Sequence, residues 1–188
     1  MPSALGRLKE TFLASPVVDR NGYPYFVNPI SDGIPMMDRG LLEEVVDGLV
    51  DITDPDCDRI LAPEAMGIPL ATGITMATGI PFSVIRKRPY GLPGEIVLDQ
   101  TTGYSRSPMY INGVSEGDRV TIVDDVISTG GTLKAIVDAL SSHDITVKGV
   151  SVVYDKSKDI GSVEASMGVP VRSLLRVGVV DGRPVIRE

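Results

Sequence analysis

The spacing of apolar residues along the chain predicts short strands that alternate with amphipathic helices. Apolar residues recur three or four positions apart in several stretches, and short apolar runs lie between them. The predicted helices cover residues 4–14, 41–50, 67–77, 133–140 and 163–167. The predicted strands cover residues 59–62, 81–85, 109–112, 119–123, 147–154, 171–177 and 179–186, with Asp181-Gly182 as the turn of a closing hairpin.

Two stretches lack this periodicity. Residues 21–37 are rich in Gly, Pro, Asn and Tyr, which predicts an irregular N-terminal cap. Residues 87–107 form a long segment containing Gly, Pro, Thr and Ser, and a long loop in a compact chain is usually a lid over a functional site. We therefore expect the segment at about 88–106 to be mobile without a ligand.

The order of the elements defines the fold class. Strands that alternate with helices indicate βαβ units, so we predict an α/β fold with a mainly parallel sheet flanked by helices. Residues 1–188 should form a single domain. Ligands of such sheets bind beyond the carboxyl ends of the strands, so the loops after residues 62, 86, 123 and 154 should converge on one site.

Composition narrows the classes of function. The formal net charge is −7 and the pI is about 4.7, so we do not expect a nucleic-acid partner. No apolar run is long enough to cross a bilayer, and no membrane contact is expected. The chain has one cysteine, Cys57, and one histidine, His143, which excludes an internal disulfide, a zinc site and Cys–His catalysis. This cysteine usage favours a reducing cytoplasm.

The run from Val120 to Thr132, with the sequence VTIVDDVISTGGT, carries the clearest chemistry. An apolar strand ends at two acids, Asp124 and Asp125, and a turn that starts a helix follows. Glycines allow a phosphate to approach main-chain N–H groups, and the helix N-terminus favours an anion. The paired acids suit a sugar diol or a hydrated Mg²⁺. The pattern therefore indicates a phosphorylated ribose. A nucleotide-binding P-loop would have a lysine after its last glycine, but Gly131 is followed by Thr132, so this run is not a P-loop.

This run resembles the 5-phosphoribosyl 1-diphosphate (PRPP) motif of type I phosphoribosyltransferases. The resemblance extends over nearly the whole chain, and the GYPYFV, EAMGIP, RKR and TGYS segments are most similar to archaeal hypoxanthine/guanine phosphoribosyltransferases, whose framework is like that of adenine phosphoribosyltransferases. It implies the type I phosphoribosyltransferase fold with a small N-terminal hood, mainly residues 16–37. The implied reaction transfers phosphoribose from PRPP to hypoxanthine or guanine with Mg²⁺, in a cytoplasmic homodimer.

The resemblance also implies roles for particular residues. Asp124 and Asp125 would hold the ribose and, through water, the metal. The implied binding sites are Ser128, Thr129, Gly130, Gly131 and Thr132 for PRPP, Ala65, Met66, Gly67 and Lys87 for diphosphate, and Tyr25, Phe26 and Val27 for the base. Lys87 and Tyr104 would act in catalysis beside the acids, Lys87 at the leaving diphosphate and Tyr104 by closing over the reacting bond.

Two positions depart from better-known subgroups. Ser128 and Gly103 stand where mammalian-type 6-oxopurine enzymes and adenine enzymes, respectively, carry an acid. The proton acceptor and the base are therefore open from sequence, and Lys156 or Lys158 is a candidate donor to a purine 6-oxo group. Adenine is the alternative base, and a PRPP-sensing regulator is the alternative class of protein.

Overall fold

A computed structural model describes residues 5–102 and 105–187, with backbone alone for 99–102 and 105–107. Its helices are α1 Gly6–Leu13, α2 Pro29–Asp32, α3 Arg39–Ile52, α4 Gly67–Thr78, α5 Gly131–Ser141 and α6 Ile160–Met167. Its strands are β1 Val17–Arg20, β2 Tyr23–Phe26, β3 Arg59–Pro63, β4 Phe82–Ile85, β5 Ile96–Thr102, β6 Ser105–Ile111, β7 Arg119–Ile127, β8 Thr146–Asp155, β9 Val171–Val180 and β10 Arg183–Arg187.

The central sheet has six strands in the order β10-β9-β8-β7-β3-β4. Strands β9, β8, β7, β3 and β4 run parallel, and β10 joins β9 as an antiparallel edge through a turn at Asp181 and Gly182. The predicted α/β fold with a mainly parallel sheet is confirmed, and so is the closing hairpin. None of the helices among the described residues is long and apolar enough to span a membrane.

Apolar layers cover both faces of the sheet. One layer packs α1, α3, α4 and hood residues such as Phe26 and Ile30 against the sheet. The other packs α5 together with Ile96, Leu98 and Met109 of the β5–β6 pair. The predicted apolar faces of α1, α3 and α5 lie in these layers, except that Leu13 of α1 points outward with 51% of its surface exposed.

The hood is more regular than its composition predicted. Strands β1 and β2 form an antiparallel hairpin whose turn residues, Asn21 and Gly22, have φ angles of 56° and 82°. Asn-Gly is the preferred pair for this type of turn, so the hairpin signal was present in the sequence and the prediction of an irregular cap was wrong. The single turn α2 follows, with the Asn28 side chain accepting a hydrogen bond from the Ile30 N–H.

The predicted long loop at 87–107 is also wrong in part. Strands β5 and β6 pair in register from Ile96–Ile111 to Thr102–Ser105 and form a two-stranded ribbon. Alternation explains the ribbon, because Ile96 and Leu98 are buried whereas Val97 is 57% exposed. Only residues 86–95 connect β4 to this ribbon without a strand or helix.

Strand β7 is four residues longer than predicted. It pairs with β3 as far as Ile122, but it continues along β8 to Ile127. Asp124 and Asp125 therefore lie inside β7, in the part that extends beyond its pairing with β3. This overhang leaves one edge of the acid-bearing segment open for a ligand.

Candidate functional site

The loops that follow β3, β4 and β7 meet at the carboxyl edge of the sheet. A cavity of about 360 Å³ is lined there by the ends of β3 and β7, the loops after β3 and β4, the start of α5, the hood and β6. Its lining residues are Ser31, Pro63, Glu64, Ala65, Met66, Lys87, Met109, Asp124, Asp125 and Thr132. A second cavity of about 190 Å³ adjoins it at Asp124 and Thr132. The loops after β3, β4 and β7 converge as expected, whereas no residue of the loop after β8 lines either cavity. The two cavities share Asp124 and Thr132 in their linings.

The smaller cavity is formed by the phosphate loop, residues 128–132, and the start of α5. Gly130 precedes the helix with a φ of 76°, and no side chain caps the helix N-terminus. Gly131 is the first residue of α5, so the main-chain N–H groups of the first turn point towards the cavity. This arrangement is an anion-binding cradle, with Ser128 and Thr129 contributing hydroxyl groups to the same loop.

Gly130 is required for a different reason from the one that the sequence suggested. A Cβ on Gly130 would lie 2.7 Å from Val163 Cγ1 and 2.8 Å from Met167 Cε, both in α6. The glycine thus allows the phosphate loop to pack against α6 in a left-handed conformation. A side chain there would displace the loop from behind rather than project directly into the cavity.

Asp124 and Asp125 stand side by side where the two cavities join. Burial raises the pKa of Asp124 well above its usual range, and the adjacent Asp125 carboxylate raises it further. Burial also raises the pKa of Asp125, although hydrogen bonds from main-chain N–H groups oppose this shift. The Asp124 carboxylate accepts a 2.9 Å hydrogen bond from the Asp125 N–H. Such a pair is poised to bind a cation or sugar hydroxyls.

The diphosphate loop, residues 64–67, follows β3 and leads into α4. Gly67 lies so close to β7 that a Cβ would approach the Val123 carbonyl oxygen to 2.8 Å. The N-terminus of α4 has no side-chain cap, so Met66 and Gly67 present main-chain N–H groups at this edge. The peptide bond between Glu64 and Ala65 is cis. Ala65 and Met66 line the larger cavity, as their expected role requires, whereas Gly67 is buried behind them.

Lys87 lines the larger cavity and supplies positive charge to it. Its ammonium group partly offsets the rise in the pKa of Asp124, which places the two charges within reach of each other. The Lys87 N–H donates a 2.9 Å hydrogen bond to Glu64 Oε1. Arg86, the preceding residue, forms an ion pair of 3.3 Å with Glu64 Oε2.

The three hood residues expected at the base lie in three different environments. Phe26 is 3% exposed, and its ring packs 5.1 Å from Phe12 and 5.7 Å from Tyr154, so it belongs to the core. Val27 lines a separate cavity between α1 and α3. Tyr25 donates a 2.7 Å hydrogen bond to Asp32, and burial together with this bond raises its pKa to about 12.

Tyr23 is a site residue that the sequence did not reveal. The Lys156 ammonium lies 4.3 Å from the Tyr23 ring centroid and 5.1 Å from that of Phe26. Burial alone would raise the pKa of Tyr23, but hydrogen bonding with Lys156 and Ser128 outweighs it and lowers the pKa. Tyr23 thus connects the hood, the phosphate loop and the loop after β8. Recognising the Asn21-Gly22 turn would have placed Tyr23 in a strand beside Tyr25.

The two candidate lysines after β8 differ in environment. Lys156 is half-buried, and its N–H donates a 2.8 Å hydrogen bond to the Ile127 carbonyl at the end of β7. Lys158 is exposed. Packing against aromatic rings makes Lys156 the better candidate for contact with a ligand. Tyr104, the expected residue of the closing loop, lies outside the described residues, as does Gly103.

The donor set suits a hard cation that brings its own ligands. Across the described parts of the chain, no group of three or more His, Cys, Asp or Glu side chains is arranged to hold a metal ion. Mg²⁺ commonly binds through one or two carboxylates, several waters and substrate phosphates. The adjacent acids Asp124 and Asp125, both facing a polar cavity, fit that mode of binding.

Comparison with known proteins agrees with this geometry. The model of the phosphoribosyl transferase domain matches residues 40–169. The hypoxanthine/guanine phosphoribosyltransferase of Methanothermobacter thermautotrophicus is 49% identical over 184 residues, which is 98% of this chain and 95% of that protein. The protein of the same name from Methanocaldococcus infernus is 47% identical and covers 96% of this chain and 100% of its own.

Solved structures share the fold at lower identity. Adenine phosphoribosyltransferase from Rhodothermus marinus has a TM-score of 0.72 and 21% identity, with 94% of this chain and 99% of that chain covered. The corresponding protein from Thermoanaerobacter pseudethanolicus has a TM-score of 0.73 and 23% identity, with 90% and 99% covered. At these identities the likeness shows the fold alone.

Proposed function

This chain belongs to the phosphoribosyltransferase family, and we propose that it transfers the phosphoribosyl group of PRPP to hypoxanthine or guanine. The products are IMP or GMP and diphosphate, so the reaction salvages purine bases. The observation that carries the proposal is the order of groups along the carboxyl edge: an anion cradle, two carboxylates, and a second anion loop with a lysine. PRPP has the same order of phosphate, ribose and diphosphate.

Each part of the site has a defined task in this reaction. A bond forms between the purine nitrogen and C1 of the ribose while the bond from C1 to diphosphate breaks, and the base loses its proton. Residues 128–132 hold the 5-phosphate, which is remote from the reacting carbon and orients it. Asp124 and Asp125 hold the ribose hydroxyls and stabilise positive charge that develops on the sugar.

The leaving diphosphate requires positive charge and hydrogen-bond donors close to it. Lys87 and the N–H groups of the diphosphate loop bind the departing diphosphate. Mg²⁺ would be held by Asp124 and Asp125, partly through water, together with oxygens of the substrate. When bound, the ion neutralises the charge that accumulates on diphosphate.

Lys156 supports the choice of a 6-oxopurine. Its ammonium group can only donate hydrogen bonds, and the surrounding rings of Tyr23, Tyr25 and Phe26 hold it beside the phosphate loop. A donor at this position complements the 6-oxo group of hypoxanthine or guanine. Adenine has an amino group at the same position and offers the Lys156 ammonium no acceptor there, which disfavours that base.

A turnover panel tests the proposal. Purified protein with PRPP and Mg²⁺ would receive adenine, hypoxanthine, guanine, xanthine or orotate, and product nucleotides would be separated and measured. IMP and GMP should form fastest. Mostly AMP would make adenine the substrate, and PRPP binding without turnover of any base would favour a regulator instead.

We further propose that the enzyme works as a homodimer in the cytoplasm, as the resemblance implies. The single cysteine, Cys57, is buried, and burial raises the pKa of its thiol, which agrees with a protein that stays reduced. Light scattering coupled to size-exclusion chromatography tests the dimer, because a mass near 20.0 kDa would identify a monomer.

A further inference from the structure

Glu64 places a carboxylate in a cavity that the proposed function assigns to diphosphate. It lines the same 360 Å³ space as Lys87, Ala65 and Met66, and its side chain is 23% exposed. A negative charge at this position opposes the binding of an anion. The contacts of Glu64 indicate what it contributes in return.

Both oxygens of Glu64 are used by consecutive residues of the basic loop, residues 86–88. Oε1 accepts the 2.9 Å hydrogen bond from the Lys87 N–H, and Oε2 lies 3.3 Å from Arg86 Nη1. The Glu64 N–H also donates a 3.0 Å hydrogen bond to the Ile85 carbonyl. The side chain of Glu64 therefore joins the diphosphate loop to the basic loop, and its main chain joins the diphosphate loop to the end of β4.

The same contacts fix the point at which the chain leaves the sheet. Arg86 pairs with Tyr110 of β6 through two main-chain hydrogen bonds of 2.9 and 2.7 Å. Arg86 is thus held on one side by the ribbon and on the other by Glu64. Lys87 is the next residue, so its backbone has a fixed position while its side chain lines the cavity.

We propose, building on the function above, that Glu64 is a positioning residue that presents Lys87 to the diphosphate group. Glu64 neutralises part of the Arg86 charge and holds the Lys87 main chain, so the lysine is oriented before the substrate arrives. Orienting a cation in advance reduces the entropy that binding must remove. In this arrangement the benefit of an oriented lysine exceeds the repulsion from one paired carboxylate.

The test compares Glu64→Ala and Glu64→Gln with the wild-type chain. Calorimetry measures the affinity for inorganic diphosphate with Mg²⁺, and kinetics measures KM separately for PRPP and for the purine. We expect diphosphate affinity to fall about tenfold in Glu64→Ala and about threefold in Glu64→Gln, which keeps an acceptor for the Lys87 N–H. The KM for the purine should stay unchanged, and thermal unfolding reports whether each variant is folded.

Glu95→Ala is the matched control. Glu95 accepts hydrogen bonds from the Tyr90 and Gly91 N–H groups and from Asn112 in the following segment, but it does not line the cavity. A loss of diphosphate affinity in Glu95→Ala as large as that in Glu64→Ala would overturn the proposal, because general loosening of the segment would then explain both.

A double-mutant cycle with Lys87→Ala tests the link to the lysine. If Glu64 acts through Lys87, Glu64→Ala should have little further effect on diphosphate affinity in the Lys87→Ala background. Tighter diphosphate binding in Glu64→Gln, or fully additive losses in the cycle, would overturn the positioning role. Neither outcome would contradict the proposed function. The proposed function fails separately if the wild-type protein turns over no purine with PRPP.

Discussion

The phosphate loop and the hood hairpin contribute to one site by different physical means. The phosphate loop binds through main-chain groups arranged by Gly130 and the start of α5, all within a few consecutive residues. The hood contributes side chains whose positions depend on distant elements, such as Tyr23 against Lys156. A site made of main chain can therefore be identified from a short stretch of sequence, whereas a site made of side chains requires the fold.

The largest expected effect is at the acids beside the phosphate loop. Asp124→Asn and Asp125→Asn should each reduce turnover by about 2–4 kcal/mol of transition-state stabilisation, because each removes a positioned charge. Steady-state kinetics with saturating PRPP, Mg²⁺ and hypoxanthine measures the loss. Turnover close to that of the wild-type chain in both variants would contradict the assignment of these acids.

Asp124→Asn should reduce turnover but increase the stability of the folded protein. Burial raises the pKa of Asp124 above its ordinary value of 3.8, so the folded state disfavours the ionised form. The folded protein then holds more protons than the unfolded chain, and stability falls as pH rises from about 4 through the raised pKa. Asp124→Asn cannot ionise, so its melting temperature relative to wild type should increase as pH rises from about 4 towards the raised pKa of Asp124. A constant difference would show that no such penalty exists.

The next largest effect should come from Gly130→Val. A side chain there meets Val163 and Met167 of α6 and requires a left-handed backbone that valine disfavours, so the phosphate loop must shift. Calorimetry should detect no PRPP binding. Gly168→Val is the control, because Gly168 also has a left-handed backbone, with a φ of 70°, but a Cβ there would meet nothing within 4 Å. Unchanged PRPP affinity in a folded Gly130→Val variant would remove the anion cradle from the proposal.

A smaller effect is expected in the hood. Lys156→Met should reduce the preference for hypoxanthine over adenine by roughly tenfold to a hundredfold, because the donor to the 6-oxo group is lost. Tyr23→Ala should reduce the same preference less, since it removes one ring that holds the ammonium. Competitive turnover with equal concentrations of both bases measures the ratio, and Lys158→Met serves as the exposed control. An equal change in Lys158→Met would contradict the role of Lys156.

The smallest expected change concerns the segment between β4 and the ribbon. Residues 88–94 should exchange amide hydrogens quickly without ligand and more slowly with PRPP and Mg²⁺. Met109 and Ile111 at the base of the ribbon are buried, so they should be protected in both states. Strong protection of residues 88–94 in the free protein would indicate a rigid loop and contradict a lid.

The parts of the molecule that the sequence predicts well are those with local causes. The apolar stripe of α5 and the turn at Asp181-Gly182 follow from spacing and turn chemistry, and both are observed. Of the ribbon, only a strand at 109–112 was predicted, because the polar and glycine-containing sequence before it hid the alternation of Ile96, Val97 and Leu98. The core position of Phe26 could not be predicted, since it depends on Phe12 and on Tyr154, far along the chain.

The close approach of Gly67 to Val123 has a consequence for substrate selection. Contact between the start of α4 and the main chain of β7 fixes how far the diphosphate loop lies from the strand that leads into the phosphate loop. Because that spacing is set by backbone against backbone, side-chain substitutions in the cavity cannot easily change it. The enzyme should therefore select its donor partly by length, and a PRPP analogue with one additional methylene between the ribose and the 5-phosphate should bind poorly.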